Sequence, residues 1–181
     1  LECRPAHRTR TRRTRRSTRK AQALYSFLSA PGVALNVKTH DSLFKLGEIS
    51  VDGSFITEAH LVARTLTGKL LRLTYDAARL SEVGTAHDMV NATYGDGGAR
   101  PLQSQTVLEC DEIEVSIDWS TLVVETAHWR VTVAGKPVYD RLAGPHHRLD
   151  LSVEALVDEA ALGAHGIIGQ SFDGSEVPRF G

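Results

Sequence analysis

The sequence predicts an all-β fold, an antiparallel β-sandwich or flattened barrel of about ten short strands, preceded by a disordered basic arm. Three observations carry that reading. Short apolar runs with period-two alternation recur roughly every 8–12 residues, with Gly, Pro and Asp turn signals between them. No long helical pattern alternates with these runs, which disfavours a parallel α/β sheet. The charge is also divided along the chain: of 21 basic and 22 acidic residues among 181, residues 1–20 hold nine basic side chains and one acid, Glu2. That leaves 12 basic against 21 acidic residues after position 20, a net charge of −9.

Residues 1–20 are rich in Arg and Thr and hold no aromatic residue. Such a segment buries too little apolar surface to offset its chain entropy. Arg8, Arg10, Arg12, Arg13, Arg15 and Arg16 are its candidate polyanion contacts, acting through counterion release. No aromatic side chains interleave with them to stack bases, which argues against a nucleic-acid partner. A solvated charged tail is the plainer reading of such a block. Residues 21–181 form the expected domain.

Taken in order, Ala23–Leu28 is the first strand, ended by Pro31-Gly32, and Val33–Val37 the second. Leu43–Val51 and Ser54–Arg64 flank Asp52-Gly53, and an Asp-Gly pair between strands is a strong hairpin signal. Strict alternation over the latter puts Phe55, Thr57, Ala59 and Leu61 on one face, and Ile56, Glu58, His60 and Val62 on the other. Thr67-Gly68 turns the chain into Leu70–Tyr75, Asp76–Leu80 makes a helical turn, and Tyr94–Pro101 is a loop by composition. Glu112–Trp119 alternates without interruption, so one face is buried and the other is acidic and wet. Ser120–Glu125 and Ala127–Ala134 follow; Gly135-Lys136 suits a hairpin turn, and Pro137 confines Val138-Tyr139 to an edge. In Arg148–Ala155 the residues Leu149, Leu151, Val153 and Ala155 point inward.

The last distinctive stretch is His165-Gly166-Ile167-Ile168-Gly169-Gln170-Ser171-Phe172-Asp173-Gly174. Its glycines mark sharp bends or close backbone approach, and Ile167-Ile168 between them are expected to plug into the core. This stretch resembles the His-Gly-Leu-Leu-Gly-Gln motif of the C-terminal domain of inter-alpha-trypsin inhibitor heavy chains. It is also similar to the Gly-Leu-Cys-Gly-Asn-Phe signature of von Willebrand factor type D domains, and to a Gly-Gln element of root-cap-type proteins. The resemblance implies a β-sandwich module for adhesion, matrix assembly or protein contact, with His165, Gly166, Gly169, Gln170, Phe172, Asp173 and Gly174 as its structural motif. Ile168 stands where type D domains carry a cysteine, and Cys3 and Cys110 cannot supply their disulfide framework. Type D domains often hold calcium after this signature; by that resemblance Asp173 and Glu176 are the candidate ligands, although Asp-Gly is also an ordinary turn.

Catalytic chemistry finds little footing. The Gly-x-Ser-x-Gly elbow and the glycine-rich phosphate loops do not occur. Cys110 lies between acids, which raises a thiol's pKa and weakens a nucleophile. His146-His147 with His165 is a poor zinc set, since adjacent histidines seldom both face one metal. No apolar run is long enough for a transmembrane helix. The expectation is a non-catalytic extracellular or cell-surface binding module for a protein or glycan ligand, without a cofactor unless calcium binds. The alternatives are polyanion binding through the arm and a hydrolase whose site is not visible in sequence.

Overall fold

The computed structural model describes residues 22–80, 88–157 and 163–168. Two antiparallel sheets stack into an open sandwich, as the alternation predicts. The first is a meander of β1 (Gln22–Ala30), β2 (Val33–Leu46), β3 (Ile49–Arg64), β4 (Leu70–Asp76), β5 (Val90–Tyr94) and β6 (Arg100–Leu102). The second contains β7 (Thr106–Cys110), β8 (Ile113–Asp118), β9 (Thr121–Glu125), β10 (Trp129–Pro137) and β12 (His147–Ala155), in the order β12-β10-β9-β8-β7. Most strands adjacent in sequence pair in space. The exceptions are the step from β6 to β7, which crosses between the sheets, and β11 (Arg141–Ala143), which leaves the β10–β12 connection to pair with β2 of the first sheet.

Alternation sets the burial. Ile113, Val115 and Ile117 are buried while Glu114 and Asp118 face water. Leu35, Val37, Leu61 and Leu73 supply the opposing face, and Trp129 is the largest of the fully buried side chains. Each such aliphatic side chain contributes about 1.5–3 kcal/mol of transfer free energy. The expected helical turn is present as a single 3-10 turn at Ala77–Arg79, capped by Asp76, whose carboxylate accepts from the Ala78 N–H at 2.9 Å.

Four local expectations are corrected. Asp52-Gly53 is not the hairpin turn. Gly47-Glu48 is, with Gly47 at φ +61°, and β2 and β3 stay paired past Asp52 to Leu46↔Ile49. Gly135-Lys136 is not a turn either: both lie within β10, where Gly135 pairs with Leu149. A Cβ there would fall 2.5 Å from Leu80 Cδ1 and 2.6 Å from Tyr75 Oη, so the glycine serves close packing between the sheets. Val138-Tyr139 form no edge strand, since β10 ends at Pro137. The face assignment in β3 holds from Glu58 to Val62 but fails before residue 58. Lys38 pairs with Glu58 but Thr39 with Ile56, so Thr57 is an extra residue and a β-bulge turns Ile56 onto the face of Ala59.

Candidate functional site

The bulge in β3 shapes the most distinctive surface of the described residues. The second sheet covers the β3–β4 side of the first: Gly135 of β10 meets Tyr75 of β4, and β12 approaches β3. Toward β1 the cover is instead the segment 163–168, in which Ala164 is buried and Ile168 packs against the core. Four backbone hydrogen bonds hold this segment on the outer edge of β1. Ser29 and His165 exchange N–H to carbonyl bonds of 2.8 and 2.7 Å, Ile167 N donates to Ser26 O at 3.1 Å, and Ile168 N to Phe27 O at 2.9 Å. Gly166 lies at φ +95°, and a Cβ there would stand 2.8 Å from the Phe27 carbonyl oxygen. Both facts demand glycine.

Of the two isoleucines expected in the core, Ile168 is partly buried against it, but Ile167 is 52% exposed. The chain bends at Gly166 and turns through the pair, so only Ile168 reaches the interior. Ile167 instead forms one wall of a cleft of about 300 Å3, with Tyr25 and Phe27 of β1, Val37, Thr39 and Asp41 of β2, and Ser54 and Ile56 of β3. Register explains the set: Tyr25 pairs with Val37, Thr39 with Ile56, and Asp41 with Ser54, so these side chains continue the inward face of the sheet beyond the second sheet's cover.

The lining is apolar at its walls and polar at one end, where Thr39, Asp41 and Ser54 meet. Asp41 occupies a gap along β2. β1 pairs with β2 as far as His40 and β11 begins at Leu43; Ser42, the other residue of the gap, donates from Oγ to Ala143 O at 3.1 Å. The charged pairs of the described residues lie elsewhere, as in Lys38–Glu58 at 2.5 Å, Arg130–Glu154 at 2.8 Å and Arg148–Asp150 at 3.1 Å. None engages the half-buried carboxylate of Asp41 among the described residues.

One other constellation has a catalytic look. His60 Nδ1 lies 3.3 Å from Thr74 Oγ1 and its Nε2 lies 3.2 Å from Glu58 Oε2. Sheet geometry accounts for this chain, because Glu58 and His60 are two apart on β3 and His60 pairs with Thr74. Burial works to raise the Glu58 pKa, but the hydrogen bond and charge of Lys38, with His60, overcome it and hold the carboxyl below its usual range. The backbone N–H groups around the three are committed to the β-ladder, so none is available to stabilise an oxyanion. It is a paired polar face. Burial likewise pushes the Cys110 thiol up, with Asp111 adding and Arg100 opposing, so the side chain behaves as a small core residue. The acidic setting read from the sequence acts in the expected direction, but burial is the larger cause.

Of the sequence-derived motif, His165 and Gly166 are placed; the His165 side chain is exposed while its backbone bridges to Ser29. Gly169, Gln170, Phe172, Asp173 and Gly174 lie outside the described residues, as do Glu176 and Arg8, Arg10, Arg12, Arg13, Arg15 and Arg16. Among the described residues no group of three or more His, Cys, Asp or Glu could hold a metal, and no helix is long and apolar enough to cross a membrane. The fold defines an antiparallel β-sandwich domain. No family model matches the chain, and neither does a curated protein or a solved structure.

Proposed function

We propose that this chain is a non-catalytic binding domain that holds its ligand in the cleft between β1, β2, β3 and Ile167. The observation that carries the reading is the chemistry of the lining: aromatic and aliphatic walls from Tyr25, Phe27, Val37, Ile56 and Ile167 around the carboxylate of Asp41 and the hydroxyls of Thr39 and Ser54. Recognition sites are commonly built this way, with apolar surface for affinity and a few polar groups for orientation. A β-sandwich used for contact also agrees with the role that the resemblance at His165–Gly174 implies.

The test is a titration of the 15N-labelled chain with a library of small neutral and cationic fragments, read by NMR. Binding should shift the amides of Tyr25, Thr39, Asp41, Ser54 and Ile167 together. Ligand-dependent shifts confined to other parts of the sandwich, or none with any fragment, would overturn the reading.

A further inference from the structure

The outer edge of β1 is used along half its length and open along the other half. At Ser26–Ser29 it shares four backbone hydrogen bonds with the segment 165–168, including an antiparallel bridge at Ser29↔His165, so main-chain groups on this edge are open to a partner. Toward Gln22 no described residue pairs with this outer edge. Leu24 and Tyr25 on that stretch are 66% and 43% exposed. Unpaired edges bearing apolar side chains are templates for further strands, and main-chain hydrogen bonding to such an edge is a general mode of peptide capture.

We propose that the ligand is an extended peptide that pairs with the outer edge of β1 at Gln22–Tyr25 and lowers an arginine or lysine side chain into the cleft, its charged head against Asp41. This rests on the binding reading above and names the class of ligand. Strands in a sheet lie about 4.8 Å apart, so a peptide beside β1 sits about 10 Å from β2. A short side chain cannot cross that span to Asp41; a long one with an apolar stem can, lying along Tyr25, Phe27 and Ile167. Asp41 completes the match. It is the one charged residue of the lining, it lies in the gap between β1 and β11, and it has no ion partner among the described residues.

The experiment uses the full chain and the acetylated, amidated pentapeptide Thr-Val-Arg-Val-Thr, with affinity and amide shifts read by NMR. The arginine peptide should bind with shifts at Leu24, Tyr25 and Thr39. Norleucine in place of arginine should weaken binding about tenfold, as loss of a charge-assisted hydrogen bond does. Asp41→Asn should abolish the difference between the two peptides while leaving the norleucine peptide unchanged. Methylating alternate backbone nitrogens should weaken both. Equal affinity of the arginine and norleucine peptides, or indifference to backbone methylation, would overturn the proposal. So would binding that appears only in Phe172→Ala, which would assign the edge to the chain's own residues after Ile168. Fragment shifts at Thr39 and Ser54 without any peptide binding would refute this inference and leave the cleft as a ligand site.

Discussion

Replacing Gly135 with alanine tests how the two sheets meet. The added methyl would enter space held by Leu80 Cδ1 at 2.5 Å and Tyr75 Oη at 2.6 Å. Leu80 can swing its side-chain end away; the Tyr75 ring is rigid, fully buried, and tied by its hydroxyl to Ser120 O at 2.6 Å. Overpacking a well-filled core costs about 1–3 kcal/mol. Displacing the Tyr75 hydroxyl from its carbonyl adds about 1 kcal/mol more. Gly135→Ala should therefore lose roughly 2–4 kcal/mol, or about 5–15 °C in Tm for a domain of this size. Urea unfolding followed by Trp fluorescence measures the loss. Tyr75→Phe removes the nearest rigid atom, so alanine at 135 should cost about 1 kcal/mol less in that background than in the parent. A Gly135→Ala protein within about 0.5 kcal/mol of the parent, or an equal cost in both backgrounds, would refute this account of the packing.

Gly166→Ala meets the backbone of Ser26 and Phe27 within 3.0 Å and should detach the 163–168 segment, seen as faster hydrogen exchange at Ser29, Ile167 and Ile168 with the Ile113 and Val131 amides unchanged. Trp119 sits at φ +50° on the β8–β9 turn and is 58% exposed, so Trp119→Asn should relieve about 1 kcal/mol of left-handed backbone strain and raise Tm by a few degrees. A fall in Tm would mean that the indole is held by contacts worth more than the strain. Burial pushes the Tyr75 pKa well above its usual value, with the Gly135 N–H opposing weakly. Since the folded value exceeds the unfolded one of about 10, its stabilisation is whole below about pH 10 and is lost as pH rises toward the folded value. Tm should therefore fall more steeply above pH 10 in the parent than in Tyr75→Phe, and parallel curves would count against a buried, protonated phenol.

Much of the fold is legible because burial follows alternation. Ile113–Asp118 and Arg148–Ala155 read correctly, since each strand has one wet and one dry face; Trp119, in phase with Ile117, turns out to water on the β8–β9 turn. Reading β2 as ending at Val37 stops short because its inward face changes chemistry there: Val33, Leu35 and Val37 are followed by Thr39 and Asp41, which line a cleft in place of core. That shift from apolar to polar on an unbroken period of two was the one signal of the site in the sequence. The Thr57 bulge left no such trace, because an extra residue in one strand is defined only against its partner. Glycine misled twice. Gly53 and Gly135 look like turn residues, but both lie within strands: Gly53 pairs with Ser42, and at Gly135 only neighbours distant in sequence, Tyr75 and Leu80, show that a side chain has no room.

The way the 165–168 segment is held has its own consequence. Its four backbone hydrogen bonds all go to Ser26–Ser29, so a single strand carries it. A force drawing the segment outward would peel these bonds one at a time, without shearing the whole sandwich, and would strip Ile167 from the cleft wall well before Trp129 felt any strain.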